Sequence, residues 1–299
     1  MQDIEIRPLT TLDELRAVEN LQRQVWDAPS TVIYQHMLIS IVRNGGSVIG
    51  ALKDGQVIGF VISFLGMANP ESDRPAMANL KLVSQRMAIL PAYRGCGVGY
   101  ELKLAQRRFA IKHGIRLITW TFDPLQSLNA YLNIRKLGAI VREYYHDYYG
   151  TEQSPLVTAE SSDRVLAEWW VTNNRVEQRL SGKRPGLTLS QYLDANAAIL
   201  NPTREGADDL PRPAETMHMP QSNVILVEIP ADYERIVMRD RELARAWRSH
   251  CRDVLESVLL SGYAVTDFVH GAHGGRARSF YALSYGQYNE TQYGRFSSN

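Results

Sequence analysis

The stretch Ala88–Gly114, AILPAYRGCGVGYELKLAQRRFAIKHG, contains the densest short group of glycines in the chain. Gly95, Gly97 and Gly99 lie between an apolar run and a segment whose apolar residues recur at helical spacing. Free N–H groups and the dipole at a helix start attract anions, and glycines let a ligand approach the backbone closely. This order predicts a strand, an anion-binding loop and a helix.

The residues around this loop are basic, although the chain as a whole is nearly neutral. Residues 94–116 contain six Lys or Arg and one Glu, whereas the net charge of the whole chain is +1. The guanidinium of Arg94, next to the glycines, is suited to phosphate oxygens. We therefore expect a polyanionic small molecule at the loop, and the balanced total charge does not indicate nucleic acid as a partner.

Two other nucleotide-binding loops have related glycine patterns. A P-loop requires Lys followed by Ser or Thr after its last glycine, and neither pair follows Gly99, so this class is excluded. A Rossmann loop needs a glycine where this chain has Tyr100, and it directly follows its strand. A dinucleotide site with Asp123 as the ribose partner therefore stays open only as a weaker alternative.

The sequence on both sides of the loop alternates strands and helices. Lys53-Asp54-Gly55 joins two apolar runs, which is the strongest short-range signal of a β-hairpin. Helices are predicted over 11–26 and 30–42, a third after the glycine loop, and a fourth over 124–138 between a proline and a glycine. The order β-α-α-β-β-β-α-β-α-β predicts an α+β domain over 1–150, with a mostly antiparallel sheet and one parallel crossover at the loop.

The later sequence predicts a linker region and a second, smaller unit. For residues 151–222 the pattern predicts a helical segment, including a helix over 161–171, followed by a linker. Residues 223–299 predict a β-α-β-β unit whose helix carries an apolar stripe formed by Leu243, Trp247, Cys251, Val254 and Val258. A unit of this size has a marginal core. We expect it to pack on the first domain or on a second subunit of a homodimer, and to form one wall of an acceptor pocket.

The segment MAILPAYRGCGVGYELKLAQ resembles the acyl-CoA-binding core of the GNAT superfamily of N-acetyltransferases. In that family an apolar strand and a proline precede Arg/Gln-x-x-Gly-x-Gly/Ala at a helix start, and Arg94, Gly97 and Gly99 match. The resemblance extends to LNAYLNIRKLGA and covers about residues 4–146. The long C-terminal half also resembles a branch of the family with an added domain. The resemblance implies a GNAT fold, acetyl-CoA or another acyl-CoA as co-substrate, and transfer of the acyl group to a small amine.

The resemblance also implies which residues contact the cofactor. Backbone atoms on the strand would pair with the pantetheine arm, the loop would bind the pyrophosphate, and two helix asparagines would bond the pantetheine amides. The three groups are Met87, Ala88 and Ile89; Arg94, Gly95, Cys96, Gly97, Val98 and Gly99; and Asn129 and Asn133.

The chemistry requires a neutral amine, stabilisation of an oxyanion and a proton for the departing thiolate. A backbone N–H near Met87 or Ala88 is the candidate for the oxyanion. The usual family acid, a Tyr four residues before the helix-ending glycine, is replaced here by Ile134, so Tyr131 one turn earlier becomes the candidate. No base is evident, although Ser84 and Gln85 are placed to hold a water. An acyl-CoA-binding module without catalysis therefore stays open.

Other features limit the class of protein. Cys96 and Cys251 do not form a disulfide framework, which indicates a reducing cytoplasm. No signal peptide opens the chain, and no apolar run approaches the roughly 18 to 20 residues that span a bilayer, so we expect a cytoplasmic protein without a membrane partner. His270 and His273 have glycines on either side, which predicts a turn and no metal site.

Overall fold

The computed structural model describes residues 3–26, 31–69, 75–151, 158, 161–183, 185–217 and 222–286. The chain divides into two compact units, a first unit of residues 1–120 with 170–173 and a second unit of residues 121–169 with 174–299. The predicted domain boundaries at residues 150 and 222 separate segments by their ability to fold independently, and they stay a prediction. Ser30 of the predicted second helix and residues 287–299 of the predicted last unit lie outside the described residues.

Helices and strands alternate along the chain as follows: β1 Ile4–Pro8, α1 Leu12–Val25, α2 Gln35–Arg43, β2 Ser47–Lys53, β3 Gln56–Met67, α3 Ala76–Asn79, β4 Leu80–Ile89, α4 Val98–Lys112, β5 Leu117–Phe122, α5 Ser127–Ala130 continued by a π-helix over Tyr131–Lys136, β6 Ile140–Tyr145, β7 Arg164–Trp170, α6 Asn174–Leu180, α7 Leu189–Asp194, β8 Ala198–Ile199, β9 Arg204–Glu205, β10 Pro211–Arg212, β11 Val224–Ile229, α8 Tyr233–Arg239, α9 Arg241–Leu260, β12 Tyr263–His273 and β13 Arg276–Tyr285.

The first unit is a sheet in the order β1-β2-β3-β4-β5. All its pairings are antiparallel except β4 with β5, which are parallel and joined through α4. The predicted hairpin at Lys53-Asp54-Gly55 is confirmed, since Lys53 pairs with Gln56 across a two-residue turn in which Asp54 and Gly55 have φ of 51° and 77°. The predicted α+β class with one parallel crossover is therefore confirmed.

Helices cover both faces of this sheet because alternate strand residues are apolar on both sides. Leu15, Val18 and Leu21 of α1 and Leu38 of α2 pack with Phe60 and other strand residues on one face. On the other face, the α4 residues Val98, Leu102 and Ala105 pack with Ile49, Ala51, Ile58 and Val61. Helix α4, which follows the glycine loop, is thus fixed against the strands by its predicted apolar stripe.

The second unit contains a mostly antiparallel sheet in the order β7-β6-β12-β13-β11-β8. Helix α7 contributes Leu189 and Tyr192 to a core with Phe280 and neighbouring strand residues. In α9 the predicted stripe is buried along its whole length: Leu243, Trp247, Cys251, Val254 and Val258 are each at most 7% exposed. Val265 of β12 pairs with Val141 of β6, so the late β-α-β-β segment continues a sheet begun by earlier residues.

One expectation about secondary structure is wrong, and another is met with a different type of helix. The helix predicted over 161–171 is replaced by a strand, because Arg164–Trp170 form β7, which pairs with β6. The strand is buried on both faces, and the Trp169 indole donates to the carbonyl of Leu137 at 2.9 Å, so a buried environment overrides helical propensity. The helix expected over 124–138 is present over 127–136, but its second half is a π-helix, in which Leu137 N–H reaches the carbonyl of Leu132.

Candidate active site

The candidate cofactor site of the first unit is an edge of β4 without a strand partner in that unit. Strand β4 pairs with β3 along its length, from Met67↔Leu80 to Gly59↔Ile89. Its parallel pairing with β5 covers only Leu82↔Ile118 and Val83↔Thr119. Within the first unit, residues 84–89 therefore pair with β3 alone. Gln85 is the extra residue of a β-bulge at this point, because Ser63 and Ile62 pair with Ser84 and Arg86.

Alternation along β4 decides which backbone groups face this open edge. The N–H of Leu90 donates to the carbonyl of Ile58 at 2.9 Å, so this pair is hydrogen-bonded. Two residues earlier, Ala88 opposite Phe60 repeats the arrangement and directs its backbone groups toward β3. Met87 and Ile89 direct theirs away from β3. Of the three predicted strand residues, Met87 therefore directs both of its backbone groups to this edge, whereas Ile89 offers only its N–H, because its carbonyl accepts a hydrogen bond from Arg94 Nε.

The glycine loop connects this edge to α4. Gly95 has φ of 74°, and Gly97, the N-cap of α4, has φ of 83°, so both lie in the left-handed region that favours glycine. The first bond of the helix runs from Glu101 N–H to the carbonyl of Gly97 at 3.1 Å. The N–H groups of Val98, Gly99 and Tyr100 precede that bond and have no acceptor within the helix. The loop therefore gathers these N–H groups at the start of α4, and binding of an anion there stays a prediction.

Two side chains of the loop are exposed. Arg94 donates from Nε to the carbonyl of Ile89 at 3.1 Å, which leaves both terminal nitrogens without a partner among the described residues. The Cys96 thiol contacts the carbonyl of Arg94 at 3.5 Å and is also exposed. The single bond from Arg94 to β4 holds its guanidinium beside the edge that carries Met87 and Ile89.

Next to the same strand lies a buried lysine that was not among the predicted site residues. Lys103 of α4 is 2% exposed and donates from Nζ to Ser84 Oγ at 2.8 Å and to Gln106 Oε1 at 3.1 Å. Its Nζ lies 3.6 Å from the centre of the Trp120 ring. Burial lowers the pKa of Lys103 well below its usual range. One feature of the sequence indicates this burial: the lysine lies on the apolar side of α4, one residue after Leu102.

In the second unit, Tyr131 lines a cleft of about 260 Å³. The cleft is formed by the π-helix, the start of α7 and the ends of β12 and β13. Its lining residues are Tyr131, Arg135, Thr188, Leu189, Ser190, Val269, His270, Gly271, Ala272, His273, Arg278 and Phe280. The Tyr131 ring lies 6.3 Å from the His270 ring in an edge-on arrangement, and Lys136 Nζ lies 5.5 Å from its centre.

His270 is held in this cleft by two serine hydroxyls. Its Nδ1 lies 2.8 Å from Ser279 Oγ and 3.3 Å from Ser127 Oγ, and the two hydroxyls are 2.8 Å apart. Nε2 has no hydrogen-bond partner among the described residues. The turn predicted at His270–His273 is wrong, because β12 continues through His273. The strand continues through this stretch because its residues pair with β13: His270 pairs with Ser279 and His273 with Arg276.

The other predicted helix residues differ in exposure. Asn129 is exposed, whereas Asn133 is 5% exposed and its amide has no hydrogen-bond partner among the described residues. Ile134, at the position of the usual family acid, is fully buried. Neither asparagine is among the residues that line the cleft at Tyr131.

The described residues contain neither a metal-binding group of side chains nor a helix suited to span a membrane. Within the described part of the chain, no group of three or more His, Cys, Asp or Glu is arranged to hold a metal ion. Of the helices described, none combines the length and apolar character needed to cross a bilayer.

Comparison with known families identifies the segment that carries the loop. Residues 12–138 match the family model of the Acetyltransferase (GNAT) family. These residues form a GNAT domain. It begins at the first residue of α1 and ends at Gly138, two residues after the π-helix, so β4, the glycine loop and Tyr131 all lie within it. GNAT proteins are acetyltransferases, and the family therefore points to acyl transfer.

Solved structures similar to the GNAT domain cover a little over half of this chain. NAA60 of Arabidopsis thaliana in complex with acetyl-CoA has 16% identity and a TM-score of 0.45, over 57% of this chain and 99% of its own. The ribosomal-protein-S18-alanine N-acetyltransferase from Escherichia coli has 15% identity and a TM-score of 0.44, over 57% and 95%. An N-acetyltransferase from Staphylococcus aureus Mu50 has 16% identity and a TM-score of 0.43, over 57% and 100%. A search of curated proteins found no match.

Proposed function

We propose that this protein is an N-acyltransferase that moves an acetyl or other acyl group from acyl-CoA to the amine of a small acceptor. The observation that carries the proposal is the free edge of β4 leading into the glycine loop within a GNAT domain. An extended arm with amide groups fits the edge, and a pyrophosphate fits the N–H groups at the start of α4. Acyl-CoA contains both.

The contacts with the cofactor follow from the directions of the backbone groups. The backbone N–H and carbonyl of Met87 and the N–H of Ile89 pair with the pantetheine amides, whereas Ala88 supports the strand through β3. The N–H groups from Gly95 to Gly99 bind the pyrophosphate, and the free nitrogens of Arg94 add charge-assisted bonds to it. The unpartnered amide of Asn133 supports its role toward pantetheine, and Asn129 is the second asparagine proposed for the same contact.

The reaction forms a C–N bond between amine and thioester carbonyl and breaks the C–S bond, releasing CoA as the thiol. The Met87 N–H stabilises the oxyanion, because it points to the free edge. The His270 tautomer that donates its Nδ1 proton to Ser279 leaves Nε2 as the acceptor for the proton of the attacking amine. The Tyr131 hydroxyl donates a hydrogen bond to the departing sulfur.

The cofactor part of the proposal is tested by calorimetric titration of CoA into the full-length protein. Arg94→Ala should weaken binding by about 1 to 3 kcal/mol, because charge-assisted contacts to phosphate are lost. Arg108→Ala is the matched control, since Arg108 is an exposed arginine further along α4. Binding of NAD without binding of CoA would contradict the proposal.

The catalytic part is tested by thiol release from acetyl-CoA with a panel of amines and amino acids. Tyr131→Phe should lower kcat and leave the affinity for acetyl-CoA nearly unchanged, because only the hydroxyl is removed. His270→Gln should lower kcat more strongly, because it removes the base. An unchanged kcat in both variants would remove these residues from the reaction.

A second candidate is an acyl-CoA-binding module without turnover, and the buried Ile134 at the usual acid position favours it. The same assay separates the two functions. Tight binding of acetyl-CoA with no thiol release for any acceptor in the panel would establish the module.

A further inference from the structure

We propose that the acceptor carries a carboxylate beside its amine, as an amino acid does, and that Arg135 in the cleft at Tyr131 binds this carboxylate. The inference rests on the proposed function in that it takes this cleft as the acceptor site. It adds the chemical class of the acceptor and a residue that selects it.

The wall of the cleft is basic. Its lining includes Arg135 and Arg278 as well as His270 and His273, and no Asp or Glu occurs among the described residues that line it. A cleft with this lining repels a purely cationic polyamine and attracts an anionic group.

Behind the wall, each of two buried carboxylates is shared by two arginines. Asp267 lies 2.8 Å from Arg135 Nη1 and 3.4 Å from Arg179 Nη2. Glu228 accepts both a 2.7 Å and a 2.6 Å hydrogen bond from Arg278, and Arg276 lies 3.8 Å away. Each cluster therefore holds one more positive than negative charge, and a bound carboxylate would balance the excess.

Arg135 has donors left for a ligand. It uses Nη1 for Asp267, whereas Nε and Nη2 have no partner among the described residues. Its side chain is 18% exposed, so it is reachable while partly shielded from water. Two N–H groups on one edge of a guanidinium match the two oxygens of a carboxylate, which is the geometry of a bidentate pair.

The loop before α7 makes room for this guanidinium. A Cβ at Gly186 would lie 2.0 Å from both Cζ and Nη1 of Arg135, so only glycine leaves the arginine in this place. Gly186 therefore positions Arg135 without contributing a polar group.

The cleft volume also favours a small acceptor. About 260 Å³ is below the roughly 300 to 1,000 Å³ of pockets that hold drug-sized ligands. An amino acid with its ammonium near His270 and its carboxylate on Arg135 is of the expected size.

The test compares amino acids with the amines formed by removing their carboxyl group, using full-length protein saturated with CoA. Calorimetry measures binding and thiol release from acetyl-CoA measures turnover. We expect at least one standard amino acid to bind at least tenfold more tightly than its decarboxylated amine. Arg135→Gln and Gly186→Ala should each abolish most of this preference and raise KM for that amino acid. CoA affinity should not change.

Arg239→Gln is the matched control, because it removes an exposed arginine of the same unit that is not among the residues lining the cleft, and it should behave as the unaltered protein. Equal binding of each amino acid and its amine, no binding of any amino acid, or an unchanged preference in Arg135→Gln would overturn the inference. A preference for phosphorylated amines over all amino acids would also overturn it. Selective binding without thiol release would support this inference and contradict the proposed acyl transfer, so the two failures are distinguishable.

Discussion

Lys103 is a lysine whose amine is almost completely removed from water. Its amine is enclosed by Ser84, Gln106 and the ring of Trp120, without an acidic side chain among these contacts. A neutral amine has two N–H donors, and the two oxygen acceptors match that number. Burial lowers the pKa of Lys103 for the same reason, because the charged form would lose its hydration without an ion partner.

The lowered pKa makes stability depend on pH in the alkaline range. In unfolded chains Lys103 has its ordinary pKa near 10.4, so between its lower folded-state pKa and that pH the unfolded state binds a proton that the folded state does not. The free energy of unfolding therefore rises with pH, by up to about 1.4 kcal/mol per pH unit, and levels off above about pH 10.4.

We expect the free energy of unfolding of the unaltered protein to rise from pH 7 to pH 10 relative to that of Lys103→Met. Urea unfolding at several pH values measures this difference. Lys112→Met, an exposed lysine of the same helix, should show no such trend. A difference between the protein and Lys103→Met that stays constant with pH would contradict the lowered pKa.

Among the elements, the loop between β4 and α4 depends most on backbone conformation. Gly95 has φ of 74°, yet no atom lies within 4 Å of a Cβ added there. The position therefore requires glycine for its backbone angle and not for space. Gly97 adds a second left-handed residue at the cap of α4, and together the two turn the chain from the strand edge into the helix.

Two substitutions at residue 95 should separate these requirements. Gly95→Val should lower the free energy of unfolding by about 1 to 2 kcal/mol, because β-branched residues are strained in the left-handed region. Gly95→Asn should cost less than half as much, because asparagine tolerates that region and space is available. Equal costs in urea unfolding would show that the backbone angle is not the cause.

The second unit as a whole is assembled from segments far apart in the sequence. Asp123, directly after β5, receives two hydrogen bonds from Arg248 of α9 at 2.7 and 2.8 Å. Both side chains are buried, and Cζ of the Arg248 guanidinium lies 5.2 Å from the centre of the Tyr233 ring. A chain ending near Gly150 would lose Arg248, β7 and β12, so the partner strands of β6 would be absent.

Breaking this buried pair on one side should be costly. Asp123→Leu leaves the Arg248 charge buried without its carboxylate and should lower the free energy of unfolding by about 3 to 5 kcal/mol. The double variant Asp123→Leu with Arg248→Met should recover most of that loss, since neither charge remains buried. A double variant as unstable as the single one in urea unfolding would mean that the ion pair itself, and not the stranded charge, supports the unit.

Local chemistry is enough to predict several parts of the protein from sequence. The turn at Asp54-Gly55, the glycine loop and the α9 stripe depend on neighbours within a few residues, so backbone preference and periodicity determine them. The GNAT pattern also predicts the order of the strands and helices around the loop. It can be recognised from sequence because its glycines and its arginine act through the local backbone.

Only the tertiary structure decided the features that depend on distant partners. Residues 164–170 are a strand because β6 pairs with them, and His270 becomes a fixed imidazole because Ser127, 143 residues away, and Ser279 meet at its Nδ1. Likewise, Lys103 is buried because a strand and a ring close over it. Pairing and burial are formed by residues brought together by folding, so no local pattern contains them, whereas turns and helix stripes are already encoded in consecutive residues.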